Sequence, residues 1–240
     1  MKNIILCGYN LIGCEVLALL VKQKHNIFVY THKSPYHIPD LIAFCKKKKI
    51  SFSTEKIKLE NLPFKPDIIC SIYYRYIIPI DIIDYCEGRV FNLHPSILPD
   101  YKGCSSITWA LINNEKFTGY TYHYIDPTID TGDIICQKKI IINSFDTQVT
   151  LYYKVMIESL SDFNKVFDFV VEKSKGISQK KGGEYFKRGA PYSGKISKEW
   201  SLEKTDRFIR AMIHPPYPLA KFDDKEVQSL DSYLKIIYDE

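Results

Sequence analysis

Short apolar strands alternate with amphipathic helices between residues 3 and 91, and this alternation limits the possible folds more than any other feature of the chain. The β-type runs lie at 3–7, 27–30, 67–72 and up to Phe91, and helical spacing occupies 11–22, 39–48 and the residues after Pro79. Such alternation is typical of a parallel sheet covered on both faces and joined by right-handed crossovers. The sequence therefore predicts an α/β fold with a Rossmann-like, doubly wound sheet.

The pattern changes after Trp109. Two further strands are predicted over 118–125 and 134–142, and a long amphipathic helix over 148–173. The polar, glycine-containing stretch 173–183 interrupts the pattern. We therefore predict one large domain over 1–180.

The residues from 181 to 240 predict a small α+β appendage. Its predicted elements are a β-hairpin with its turn at Arg188-Gly189-Ala190-Pro191, flanked by Tyr185-Phe186 and Lys195-Ile196, a helix over 203–213 and a strand over 227–237. A segment of this size is near the lower limit for an independent hydrophobic core. We expect it to pack on the large domain or on another subunit.

The composition is typical of a globular cytoplasmic protein, with 45% apolar and 25% charged residues. The 7 cysteines are odd in number and lack C-x-x-C spacing, which favours reduced thiols over a disulfide framework or a zinc site. No apolar run approaches the roughly 20 residues of a membrane span. Gly8 and Glu15 interrupt the N-terminal apolar stretch, unlike the core of a signal peptide. We expect no metal and no membrane partner.

Two features suggest ligands that we do not expect. The net charge of +5 and the run Lys46-Lys47-Lys48-Lys49 suggest nucleic acid, but the run ends a predicted helix, where cations favourably meet the negative end of the dipole. Gly8-Tyr9-Asn10-Leu11-Ile12-Gly13 resembles a dinucleotide-binding loop, but Asn10 replaces the glycine that approaches the pyrophosphate. A solvated helix end and tight helix packing explain these segments better.

Three polar residues form the candidate catalytic set. Asn92 and His94 are two positions apart at the end of an apolar strand that Pro95 stops, so their side chains point to one face. Asp130 lies in a turn-rich loop before another apolar run. An imidazole oriented by a carboxylate and beside an amide donor can accept a proton and stabilise an oxyanion without a metal. Taken singly, His94 is better explained as a structural hydrogen-bonding residue and Asp130 as a turn former than as catalysts.

The sequence motifs around these residues resemble those of the 10-formyltetrahydrofolate-dependent formyltransferases in their order, spacing and loop residues. The matching motifs are Phe91-Asn92-Leu93-His94-Pro95-Ser96-Ile97-Leu98-Pro99, Tyr101-Lys102-Gly103, Gly119, His123, Ile129-Asp130-Thr131-Gly132-Asp133-Ile134-Ile135 and Gln137. The resemblance implies a formyltransferase catalytic domain over 1–180, with Asn92, His94 and Asp130 as its catalytic residues.

The formyl donor implied by the resemblance is 10-formyltetrahydrofolate. The stretch Ser71-Ile72-Tyr73-Tyr74-Arg75-Tyr76-Ile77-Ile78-Pro79 looks like the family's folate-binding loop. We expect Tyr76, Ile77 and Ile78, together with Asp130, to bind the donor. Whether His94 acts mainly as a base or as an oxyanion donor stays open at this stage.

The resemblance also bears on the formyl acceptor. Methionyl-tRNA formyltransferases carry a longer C-terminal barrel, and glycinamide ribonucleotide formyltransferases lack a tail with Trp200 and Pro216-Tyr217-Pro218. The tail looks most like enzymes that N-formylate a dTDP- or UDP-linked amino deoxysugar for surface polysaccharide of the O-antigen type. The alternatives are formylation of another small amine, such as glycinamide ribonucleotide, or a folate- or nucleotide-sugar-binding protein without catalysis. The three catalytic residue types argue against the last, because binding needs no proton acceptor.

A nucleotide-linked sugar needs a cation for its phosphates and a surface for its base. Arg75 can grip phosphate with two donors, although pairing with Asp81 or Asp84 would explain it equally well. Tyr217, between two prolines, is the candidate base-stacking residue. The hairpin predicted around Arg188 suits a two-fold interface, so we expect a homodimer, with substrate contacts or dimerisation as the role of residues 181–240.

Overall fold

The computed structural model describes residues 1–36, 38–215 and 217–238. The strands are β1 (Asn3–Gly8), β2 (Asn26–Tyr30), β3 (Ser51–Ser53), β4 (Ile68–Ile72), β5 (Val90–His94), β6 (Lys102–Gly103), β7 (Phe117–Tyr124), β8 (Ile134–Ile141), β9 (Tyr185–Phe186), β10 (Ala220–Phe222) and β11 (Lys225–Val227). The helices are α1 (Asn10–Lys22), α2 (Leu41–Lys48), α3 (Ile80–Tyr85), α4 (Ser106–Ile112), α5 (Gln148–Val171), α6 (Leu202–Ala211) and α7 (Leu230–Tyr238). Short 3-10 turns lie at Leu59–Asn61 and Pro191–Gly194.

The main sheet has seven strands in the order β3-β2-β1-β4-β5-β7-β8. Its first five strands run parallel, and β7 runs antiparallel to β5. The central strands β1 and β4 are almost wholly buried, which explains why they read as continuous apolar runs in the sequence. The predicted α/β, Rossmann-like fold is confirmed.

The chain divides into two compact units. The first comprises Met1–His94, Thr121–Gln137 and Glu158–Lys180, and the second comprises Pro95–Tyr120, Lys138–Ile157 and the residues from Lys181 onward. Each unit is made of three separate chain segments. The domains expected from the sequence, 1–180 and 181–240, stay a prediction.

The two glycines of the Gly8 to Gly13 segment have a packing role within the first unit. A Cβ atom at Gly8 or Gly13 would lie 3.1 or 3.2 Å from a methyl group of Leu41, at the start of α2. The small residues therefore let the end of β1 and the start of α1 lie close to α2, which agrees with a packing role for this segment.

The hairpin predicted around Arg188 is wrong in position. Strand β9 instead pairs in parallel with β6, and Lys195 forms a parallel bridge with Lys221. Gly103 permits this pairing, because a Cβ atom there would lie 2.4 Å from the carbonyl oxygen of Phe186. The second unit does contain a hairpin, as predicted, but it is formed by β10 and β11. Its turn is Asp223-Asp224, two residues with positive φ, a conformation that aspartate tolerates.

The strand predicted over 227–237 is also wrong beyond Val227, because most of this segment forms α7. Leu230, Tyr233, Leu234 and Ile237 follow helical spacing. Ser229 caps the helix by accepting a hydrogen bond from the backbone of Ser232 at 3.1 Å. The helix predicted over 203–213 is confirmed as α6.

Candidate active site

Asn92 and His94 both lie on β5, a central strand whose end is set by Pro95. In the sheet, Asn92 lies between two polar residues, Ser71 of β4 and His123 of β7. Because neighbouring strands carry their registered residues on the same face, these side chains form a row across the sheet. His94 and His123 are almost fully buried, with 4% and 2% of their surface exposed.

Asp130 is held in a loop of unusual backbone geometry. Its φ angle is +56°, a left-handed conformation that Asp tolerates better than most residues. A Cβ atom at Gly132 would lie 1.9 Å from the carbonyl oxygen of Tyr124, so the loop can pass there only with glycine. The side-chain amide of Gln179 donates to the carbonyl oxygens of Asp130 and Gly132 at 3.0 and 2.8 Å. These constraints fix the direction of the Asp130 side chain.

The carboxylate of Asp130 lies between two imidazole rings. Oδ2 is 3.4 Å from Nδ1 of His94, and Oδ1 is 3.6 Å from Nε2 of His123. The carboxylate is 11% exposed. A carboxylate in this position can orient the His94 ring and stabilise positive charge that forms on that ring during catalysis.

The amide of Asn92 is hydrogen-bonded on both sides. Its Oδ1 accepts from the hydroxyl of Ser71 at 2.9 Å, and its Nδ2 lies 3.2 Å from Nε2 of His123. The structure thus brings together the three residues predicted as catalytic, at the edge of the sheet where ligands bind in doubly wound folds.

The predicted donor-binding loop follows β4 at the same edge. Ile78 is buried in the core, whereas Ile77 is 76% exposed. The Tyr76 ring has Lys56 Nζ 5.0 Å and Arg75 Cζ 5.5 Å from its centre. The loop therefore presents an apolar side chain and a cation-covered aromatic ring to its surroundings.

Tyr217 belongs to the second unit. Its side chain is 58% exposed, and the edge of its ring contacts His214 at a centroid distance of 5.4 Å. Burial lowers the pKa of His214. Pro216, which the sequence analysis placed beside Tyr217, lies outside the described residues.

Sequence reasoning did not assign a site role to Ser71, His123 or Gln179. Ser71 and His123 lie in the matching motifs, but their position beside Asn92 depends on strand register, which the motifs do not contain. Gln179 lies in the polar stretch interpreted as a domain boundary, where nothing in the sequence distinguishes it from its neighbours.

In 1–36, 38–215 and 217–238, no cluster of three His, Cys, Asp or Glu side chains is arranged to hold a metal ion. Over the same residues, no helix has the length and apolar character needed to cross a bilayer.

An α/β sheet with an amide, a carboxylate and imidazoles at its carboxyl edge is typical of a group-transfer enzyme. A family model described as formyl transferase matches residues 6–161. The chain belongs to this formyltransferase family, which confirms the resemblance found in its sequence.

Several relatives that match almost the whole chain are named as sugar N-formyltransferases. The chain is 33% identical to the GDP-perosamine N-formyltransferase of Brucella melitensis, over 96% of this chain and 90% of that protein. A crystal structure of a sugar 3N-formyl transferase with dTDP and 5-N-formyl-THF is 27% identical, with a TM-score of 0.82 over 95% of this chain and 85% of that one. The N-formyltransferase of Helicobacter canadensis, in complex with folinic acid and dTDP-3-aminofucose, is 25% identical, with a TM-score of 0.81 over 95% and 87%.

Proposed function

We propose that the protein transfers the formyl group of 10-formyltetrahydrofolate to the amino group of a nucleotide-linked amino sugar. The observation that carries this proposal is the buried Asp130 carboxylate, 3.4 Å from His94, beside the hydrogen-bonded amide of Asn92. The substrates named for the relatives support a sugar acceptor and a folate donor. The product would serve the synthesis of surface polysaccharide of the O-antigen type.

In the proposed reaction, the neutral sugar amine attacks the formyl carbon and forms a tetrahedral species. Positive charge develops on nitrogen and negative charge on oxygen, and Asn92 and His94 stabilise the oxygen. Neutral His94 accepts the amine proton, directly or with Asp130, and the same proton is passed to N10 of the folate as the bond from the formyl carbon to that nitrogen breaks. The negative charge of Asp130 stabilises the imidazolium that forms on His94 between these two steps.

The nucleotide base is the least constrained part of the acceptor. The sequence analysis predicts dTDP or UDP, one relative is named for a GDP sugar, and two related structures contain dTDP or a dTDP sugar. The proposed class of acceptor is therefore an amino sugar linked to a nucleoside diphosphate.

The proposal is tested by incubating the pure protein with 10-formyltetrahydrofolate and a panel of amino sugars linked to dTDP, UDP or GDP. Formylated product and released tetrahydrofolate should appear in equal amounts with at least one sugar. Glycinamide ribonucleotide and methionyl-tRNA serve as comparison acceptors. Formylation of either in preference to every sugar, or donor binding without any transfer, would reject the sugar acceptor.

The proposed donor site is the loop of Tyr76, Ile77 and Ile78, which we expect to bind the pterin ring through main-chain groups. Ile77→Pro removes one backbone N–H, and the loss of one such bond should raise the donor's KM by about tenfold. Ile77→Val keeps the backbone and should change KM by less than about twofold. Steady-state kinetics with varied donor checks this, and equal KM values for the two variants would contradict a main-chain role.

For the acceptor, Arg75 is proposed to bind the pyrophosphate, and Tyr217 is proposed separately to contact the base. Arg75→Ala should weaken binding of the sugar nucleotide by about ten- to a hundredfold, the range for a lost charge-assisted hydrogen bond, and leave folate affinity nearly unchanged. Lys58→Ala, which removes an exposed cation paired with Glu60, is the matched control. Calorimetry that gives equal losses for both ligands, or none for the sugar nucleotide, would reject this role.

The homodimer remains a prediction. The hairpin around Arg188 from which it was expected is replaced by the parallel pairing of β9 with β6. A monomeric mass by light scattering at working concentration would remove it.

A further inference from the structure

Ser71, Asn92 and His123 form a row of hydrogen-bonded side chains, and only Asn92 of the three belongs to the catalytic set. The three residues are register partners on β4, β5 and β7. Ser71 and His123 are 4% and 2% exposed, so their polar atoms depend on protein partners. This makes the protonation of each atom deducible from its neighbours.

The ring of His123 is fixed in one tautomer by the backbone. Its Nδ1 lies 2.7 Å from the carbonyl oxygen of Tyr124. A carbonyl oxygen has no proton to give, so Nδ1 carries the hydrogen and donates. In a neutral ring, Nε2 is then an acceptor, and it faces Nδ2 of Asn92 at 3.2 Å.

This acceptor determines which way the Asn92 amide faces. With the amide reversed, its oxygen would face the lone pair of Nε2, which is repulsive. In the observed orientation, Oδ1 accepts from Ser71 at 2.9 Å and the NH2 group lies on the side of His123. One N–H of that group is engaged by His123, and the amide has a second N–H that can donate to a ligand.

We propose that His123 is a positioning residue, which as a neutral, Nδ1-protonated ring holds the Asn92 amide so that its NH2 group serves the formyl oxygen. The effect on catalysis rests on the proposed formyl transfer, whereas the tautomer does not. A charged His123 paired with Asp130 is the competing arrangement. It would set two N–H donors against each other at 3.2 Å, and its Nε2 lies 3.6 Å from the carboxylate, beyond a normal hydrogen bond.

Two substitutions separate the nitrogens of the ring. His123→Asn places an amide N–H near the position of Nδ1 but removes the acceptor at Nε2. His123→Gln brings an amide oxygen close to the position of Nε2. His123→Asn should lower kcat by about ten- to a hundredfold with little change in either KM, and His123→Gln should restore most of it. Equal losses in both variants, or a loss confined to KM, would overturn the proposal.

A double-mutant cycle tests whether His123 acts through Asn92. In an Asn92→Ala background, His123→Asn should cost less than about threefold further, because the amide it positions is absent. A further loss as large as in the wild type would show that His123 acts by another route and would overturn the proposal.

The tautomer is measurable without any substrate. Long-range proton–nitrogen NMR on the wild-type protein should show a protonated Nδ1 and an unprotonated Nε2 for His123, with the ring resonances assigned through bonds to the His123 backbone. An imidazolium or a ring protonated at Nε2 would overturn the inference even if the variants fail to fold. If no amino sugar is formylated but this tautomer is found, the proposed acceptor fails and the positioning of Asn92 stands.

Discussion

Replacement of His94 or Asp130 by asparagine is expected to lower turnover by about two to four orders of magnitude, the range for lost acid–base or oxyanion assistance. His94→Asn removes the group that accepts the proton or stabilises the oxygen. Asp130→Asn keeps the shape of the side chain and tolerates the φ angle of +56°. It removes only the negative charge that lies 3.4 and 3.6 Å from the two imidazoles.

The measurement is steady-state turnover at saturating donor and acceptor, with thermal unfolding to verify that each variant is folded. His25→Asn and Asp84→Asn are matched controls, because they make the same chemical changes at positions outside the site and should stay within about twofold of the wild type. Near-normal turnover in either site variant would remove that residue from the catalytic set.

The parts of the fold that the sequence predicts well are those in which local pattern and tertiary burial coincide. Strands β1 and β4 are buried on both faces and therefore appear as unbroken apolar runs. The turn of the second unit's hairpin was missed because Asp223-Asp224 lacks the glycine that usually marks such turns. Helix α7 was interpreted as a strand because a short apolar run does not distinguish the two.

In the candidate site, too, the residues that local sequence reveals differ from those that only the assembled sheet reveals. Asn92 and His94 were found from their spacing of two and from Pro95, both of which are local properties of the chain. Ser71 and His123 become neighbours of Asn92 only through strand register, and register is set by the whole sheet rather than by any one segment. A positioning residue is therefore harder to find from sequence than the residue that it positions.

Asp146→Ala is expected to lower the free energy of unfolding by about 2 kcal/mol, because the hydrogen bonds of a buried carboxylate are lost while the remaining Lys154 side chain is 36% exposed and can be solvated. Asp146 is fully buried and accepts two bonds from Nζ of Lys154, at 2.6 and 2.8 Å. It also accepts from the backbone of Asn143 at 2.8 Å and from the hydroxyl of Thr150 at 3.1 Å. Chemical denaturation measures the loss, and a change below about 1 kcal/mol would contradict the structural role.

The same carboxylate predicts a pH dependence of stability. Burial acts to raise the pKa of Asp146, but the hydrogen bonds from Lys154 and Asn143 outweigh it, so the pKa is lowered from its usual value. A carboxylate with a lowered folded-state pKa stabilises the protein above its unfolded-state pKa of about 3.9, and this contribution is lost as the pH falls through the folded-state value. Asp146→Asn lacks this contribution, so the difference in unfolding free energy between wild type and variant should shrink as the pH falls below about 4.

The control is Asp223→Asn, which removes an exposed pair with Lys198 and should cost less than about 1 kcal/mol at neutral pH. A wild-type advantage over Asp146→Asn that stayed constant from neutral to strongly acidic pH would show that Asp146 is not ionised in the folded protein.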